Sequence, residues 1–125
     1  MIKMAQKFDN TMRPELQVIF DKYFNYLTEE FGFHVISSFY DPHTFGNFVI
    51  ELSKGETRLR LTSDRSQVLI DIFQPDMGWI GKEELLERYG ISKSRFPSPY
   101  GLWNGFKIEN QSIDLKQHRE LLNIG

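Results

Sequence analysis

Three stretches between Phe45 and Gln74 limit what this chain can become. In Asn47–Ser53 the residues Phe48, Ile50 and Leu52 fall on one face. In Thr57–Ser63 the matching pair is Leu59 and Leu61, and in Gln67–Gln74 it is Val68, Ile70 and Ile72. Alternation with a period of two is the signature of a strand with one buried face. Gly55 and the Asp64–Ser66 cluster supply turns too short for anything but antiparallel neighbours, because a parallel pair needs a long crossover. The result is a meander with one wholly apolar face, which must be covered. Its other face is mixed, with Val49, Glu51, Arg58, Arg60, Leu69, Asp71 and Phe73.

The cover is upstream. Leu16, Ile19, Phe20, Tyr23, Phe24, Leu27 and Phe31 recur at spacings of three and four, a wide helical stripe. The helix is expected to begin between Thr11 and Pro14, since proline suits a first turn. Gly32 is expected at its C-terminal cap, with Phe33 folding back on the last turn. Residues 1–10 read as a flexible polar lead-in. Phe33–Tyr40 reads as a first strand closed by an Asp41-Pro42-His43 turn. Downstream, Gln74-Pro75-Asp76-Met77-Gly78 reads as a break. Gly81 then sits where a helix N-cap belongs, Ile80 and Leu85 form a hydrophobic staple, and Gly90 ends the helix. Residues 91–106 are irregular but too aromatic for a linker. Phe106–Glu109 offers a short strand, and a last helix is expected from about Ser112 to Asn123 with Leu115, Leu121 and Leu122 as its apolar contacts. The expected fold is α+β: a four-stranded antiparallel meander on an N-terminal amphipathic helix, with two short C-terminal helices, in one domain spanning 1–125.

Composition excludes several functions. The chain has 125 residues, a formal net charge of −2 and no cysteine, with a pI near 5.9. Disulfides, thiolate metal sites and cysteine nucleophiles are out, and no broad basic field invites nucleic acid or an anionic membrane. The N-terminus lacks an apolar signal core, and no apolar run approaches membrane-spanning length, so a cytoplasmic protein is expected. Neither an enzymatic motif nor a cofactor site stands out.

Four constellations remain. His34, Asp41, His43 and His118 have no metal-site spacing, and read as a strand histidine, a turn aspartate and solvated histidines; no metal is expected. Glu51, Arg60 and Asp71 share the mixed face, where Arg60 is within reach of both carboxylates. Ordinary cross-strand pairing explains them; the competing reading is a small-ligand or minor enzymatic site around Arg60 and Asp71. Arg58 and Arg60 beside Phe73 resemble a base-stacking sheet, but the glycine-aromatic consensus of such sheets is missing. Trp79, Arg95, Tyr100 and Trp103 are of the types that anchor protein interfaces, and lie in or beside irregular segments. They are candidate partner-binding residues, with Arg58 and Arg60 as a second patch. The bland alternative is that the tryptophans plug the edges of the sheet. Glu83, Glu84, Glu87 and Arg88 read as a solvated helix face.

Val-Ile-Glu-Leu at 49–52, Arg-Leu-Arg-Leu at 58–61, Ser-Asp-Arg-Ser-Gln-Val-Leu-Ile-Asp-Ile at 63–72, Trp79 and Glu-Glu-Leu-Leu at 83–86 make a pattern covering about a third of the chain. It resembles small bacterial α+β proteins of the immunity-protein type found in polymorphic-toxin systems. That resemblance implies a cytoplasmic, non-enzymatic domain that blocks a cognate toxin by binding it. It carries over no binding residue, because such surfaces vary with the toxin.

Overall fold

The computed structural model describes residues 12–44, 46–65, 67–90, 107–118 and 121. Expectations that fall on 1–11, on 91–106 (including Arg95, Tyr100 and Trp103) and on Leu122 lie outside them. The order is α1 (Pro14–Tyr23), α2 (Tyr26–Glu29), β1 (His34–Asp41), β2 (Asn47–Lys54), β3 (Thr57–Asp64), β4 (Gln67–Gln74), β5 (Gly78–Gly81), α3 (Lys82–Arg88) and α4 (Ile108–Gln117).

The five strands form one antiparallel sheet in sequence order. The meander is as expected, but there is one strand more. Between the turn at 75–77 and the expected cap at Gly81, the segment Gly78–Gly81 returns along β4, pairing Gly78 with Gln74 and Gly81 with Asp71. A four-residue strand with glycine at both ends offers too little alternation to register as one. Gly81 both ends β5 and caps α3.

The period-two residues go where the pattern sends them. Phe48, Ile50, Leu52, Leu59, Leu61, Val68, Ile70 and Ile72 are all buried, joined by Ile80 from β5. Opposite them lie Leu16, Phe20, Phe24, Leu27, Phe31 and Phe33 from the N-terminal helical segment, Leu85 and Leu86 from α3, and Leu115 and Leu121 from the C-terminal end. The turns are tight. Lys54 pairs with Thr57 across Gly55 and Glu56, and Gly55 has φ +60°, a conformation that glycine adopts without steric cost.

The N-terminal helix corrects the expectation of a single rod. It breaks at Phe24–Asn25 into α1 and α2. The Tyr23 carbonyl, which a longer helix would use internally, accepts instead the Ser112 hydroxyl from α4. The end of α2 is near the expectation but not on it: the cap is Glu30, Gly32, two residues beyond it, has φ +78°, and the Phe33 N–H reaches back six residues to the Leu27 carbonyl at 2.9 Å.

The last helix starts at Ile108, four residues before the expected Ser112, and absorbs Ile108 and Glu109, which had been read as strand. Its inward positions explain the misreading. Gln111, Ser112 and Asp114 are buried alongside Leu115, so a polar surface faces in and the apolar stripe that marks a helix is missing.

Candidate functional site on the outer sheet face

Register builds this face. Cα pairing places Ser53, Arg58, Phe73 and Trp79 in one row across β2–β5, and Glu51, Arg60, Asp71 and Gly81 in the next. A third row holds Phe39, Val49, Thr62 and Leu69. Directly opposed side chains on one face stand close enough to interact, and here they do. The Phe73 and Trp79 rings are 5.5 Å apart at 60°. The Arg58 guanidinium lies 5.7 Å from the Phe73 ring centre, and that of Arg60 only 4.0 Å from the Trp79 ring centre. Both are within cation–π range. Arg60 Nε also donates to Glu51 Oε2 at 3.2 Å. The order Arg58–Phe73–Trp79–Arg60–Glu51 is thus a continuous row of ring, cation and carboxylate contacts, called the stack below.

Three candidate residues come together in it. Trp79 and the two arginines, taken from the sequence as separate patches, are joined through Phe73. Trp79 is half-buried in β5, at the sheet edge, with its ring over the outer face. Three apolar residues flank the stack, Phe39, 60 % exposed, Leu69, 45 %, and Ile36, 43 %; of these only Leu69 had been placed on this face from the sequence. Their signal was parity, since Phe39 and Leu69 sit at outward positions of their strands.

Arg60 engages Glu51 and Trp79 rather than bridging two carboxylates. Asp71 has no hydrogen bond or ion pair among the described residues. Burial pushes its carboxyl above the usual range, and the nearby Arg60 charge only partly offsets this. Beside it a notch of about 150 Å³ opens between Leu69, Ile70, Gly81, Glu83 and Gln111. Ligand pockets usually occupy about 300–1,000 Å³, and Arg60 is not part of this lining.

A second polar cluster lies under the sheet edge and was not legible as a unit. Lys82 is 1 % exposed. Its ammonium bonds the buried Asp114 carboxylate of α4 and Glu83 Oε2 at 2.6 Å. Glu83 is therefore half-buried, not part of a solvated face, whereas Glu84 and Arg88 do pair in water at 3.0 Å. His118 Nδ1 stands 2.9 Å from the Asp114 carbonyl and 3.2 Å from its Oδ1. The Tyr26 hydroxyl donates to the Ser112 carbonyl at 2.9 Å, and burial raises the pKa of that phenol. The Lys82–Asp114 and Tyr26–Ser112 contacts tie α4 to the body.

The histidines and aspartate weighed for metal are apart. His34 is exposed at the start of β1, Asp41 accepts the His43 N–H in the β1–β2 turn at 2.9 Å, and His118 is on α4. Among the described residues no cluster of three or more potential ligands forms, and no helix is long and apolar enough to cross a membrane.

No family model, curated protein or solved structure matches this chain.

Proposed function

We propose that this is a non-enzymatic protein-binding module whose contact surface is the outer sheet face. The arginine–aromatic stack is the observation that carries the reading. Arg and Trp are the residue types that dominate binding energy at interfaces. Here they stand on hydrogen-bonded strands, with stacking that limits their rotamer freedom, so little ordering remains to be done on association. Exposed Phe39 and Leu69 extend the apolar area on the same face. Arg58 has no carboxylate partner among the described residues, which leaves its charge available to an incoming acidic group. The small notch beside Asp71 favours this reading over a ligand-binding or enzymatic site around Arg60 and Asp71.

The specific form we propose is that of an immunity protein, which occludes the working surface of a toxin domain. Its cytoplasmic placement belongs to the same proposal. The resemblance in strands β2–β4 and the α3 segment supports this form, and so does a face built for contact rather than chemistry.

Affinity capture from the native host with mass spectrometry identifies the partner, and two variants test the face. Arg58→Ala and Phe73→Ala together are expected to weaken capture by about thirtyfold or more, the scale of a hot-spot loss of ~2 kcal/mol. The melting transition should remain cooperative, since the outward face of β4 carries no part of the core. Wild-type affinity in the double variant would remove the outer face from the contact.

A further inference from the structure

The two edges of the sheet are finished differently. β5 is four residues long and has glycine at both ends. β1, at the opposite edge, runs for eight residues from His34 to Asp41. One side of β1 pairs with β2. Among the described residues no hydrogen bond reaches its other side between His34 and Tyr40. A long edge of this kind offers unpaired N–H and C=O groups to another strand, and proteins commonly blunt such edges with lysine or proline. β1 has neither. Its one irregularity is a bulge, where Ile36 is left over between the Val35–Leu52 and Ser37–Glu51 pairs. Ile36 and Phe39 are the large apolar side chains that this strand exposes.

The strand is complementary to itself. Two copies set antiparallel about a two-fold axis at Ser38 match along its whole length. Ser38 meets Ser38 of the second copy, and Ser37 meets Phe39. Across the bulge, Val35 meets Tyr40 and His34 meets Asp41. Ile36 is left over against the second copy just where it is left over against β2, so its side chain comes beside the exposed Phe39. The faces agree throughout. Val35, Ser38 and Tyr40 oppose the inward residues Leu52, Ile50 and Phe48 of β2, whereas His34, Ser37, Phe39 and Asp41 oppose outward ones. Every pair therefore joins inward to inward or outward to outward. Val35 and Tyr40 already pack against the rim of the core, and their pairing extends its cover.

The polar groups agree as well. The imidazole at one end of the strand meets the carboxylate at the other, twice by symmetry, and no charge meets its like. Other arrangements fail. A parallel pairing sets Asp41 beside Asp41. An axis between Ser38 and Phe39 mixes the two faces. An axis at Phe39 sets the start of β1 against Pro42, which has no N–H to give. The occupant that this edge specifies is its own sequence: a donor opposite Asp41, an acid opposite His34 and an aromatic ring opposite the bulge.

We infer that β1 is a self-pairing edge that joins two copies of this chain into one continuous antiparallel sheet. The rings and arginines of the stack lie on β3–β5, away from the joint, so the inference stands apart from the proposed function. Eight antiparallel residues reach about 27 Å. That puts the contact at the small end of interface sizes, with a dissociation constant of about 1–100 μM.

Sedimentation equilibrium of the full chain from about 1 to 500 μM brackets that range. The mass is expected to rise from 14.8 kDa toward twice that value. Phe39→Lys puts a charge at an exposed outward position, and His34→Glu sets a carboxylate against Asp41. Each should weaken the dimer by about tenfold or more and leave the melting transition of the dilute monomer unchanged. The register has its own readout. The chain has no cysteine, so Ser38→Cys places a lone thiol at the axis. Facing Cα atoms there stand about 4.5–5.5 Å apart, within disulfide reach. Mild oxidation should cross-link this variant at least about tenfold faster than Ser37→Cys, whose two thiols are offset along the strands beyond that reach. A 14.8 kDa particle at every concentration, a dimer that both charged variants leave intact, or equal cross-linking at 37 and 38 would each overturn the self-pairing edge.

Discussion

The two ends of the chain are fastened to the same sheet by opposite means. The N-terminal segment, α1 and α2, is held by grease. Leu16, Phe20, Phe24 and Leu27 are buried against Phe48, Ile50, Leu52 and their neighbours. The C-terminal helix α4 sends Leu115 into the core but adds a set of polar fastenings that the other end lacks: Asp114 to Lys82, Ser112 to the Tyr23 carbonyl, and the Tyr26 hydroxyl to the Ser112 carbonyl. Apolar burial is non-directional and shared among many side chains. A buried ion pair concentrates its effect in one contact whose halves are each costly alone. The first attachment should yield gradually to substitution, and the second all at once.

The sharpest break in that contrast comes at Asp114. Asp114→Ala takes a buried carboxylate from the Lys82 ammonium and leaves it with Glu83 among the contacts described above, and is expected to cost about 3–5 kcal/mol by denaturant unfolding. Replacing both members, Lys82→Met with Asp114→Leu, removes the desolvation of two charges and should recover most of that loss. A double variant as unstable as the single would mean that α4 depends on this pair for more than charge compensation. Next in size is Leu16→Ala on α1, expected to cost about 3 kcal/mol through lost transfer energy and the cavity left behind. Leu16→Met keeps the volume and should cost less than about 1.5 kcal/mol. If Leu16→Met is as damaging as Leu16→Ala, the N-terminal attachment is not the tolerant one, and the contrast between the two ends disappears.

The same contrast decides what the sequence discloses. Strands β2–β4 were legible to within one residue at their ends, because their apolar residues alternate within each strand and the turns fix the register. The outer rows follow from that register, so Glu51, Arg60 and Asp71 were placed on one face before any coordinates. Trp79 was legible as a candidate, but its place beside Phe73 and Arg60 was not, since β5 has only Trp79 and Ile80 between its glycines. α4 was misread because Gln111, Ser112 and Asp114 look solvated. Their partners are Glu83, Lys82, Tyr26 and Tyr23, from 28 to 89 residues away in sequence, and no local pattern encodes such a partner. One clue was present. Lys82 is the first residue of α3, where a cation opposes the helix dipole. A lysine at that position implies a carboxylate from elsewhere. The kink at Phe24–Asn25 was hidden for the same reason, since the hydroxyl that claims the Tyr23 carbonyl belongs to α4.

Asp71 lies between the two extremes, and its substitution should have the smallest effect. It is neither sealed with a partner, as Asp114 is, nor fully in water, as Glu84 is. Burial raises its carboxyl pKa in the folded chain, with Arg60 working against that shift. A raised folded-state value means that the native form holds its proton over a pH range in which the unfolded form has released it. Stability from this group is therefore fully present below the unfolded carboxylate range and falls as pH rises through the folded value. At pH 7 the whole cost is in place, so Asp71→Asn is expected to stabilise the protein slightly, by less than about 0.5 kcal/mol, the usual scale of a half-exposed substitution. At pH 3 both states of the wild type are mostly protonated at this site, and the advantage should vanish. Urea unfolding of wild type and variant at the two pH values measures the difference. A benefit that grows on acidification would show that Arg60, not burial, governs this carboxylate. Asp71 would then count as a paired charge, and the intermediate class it represents would have no member on this face.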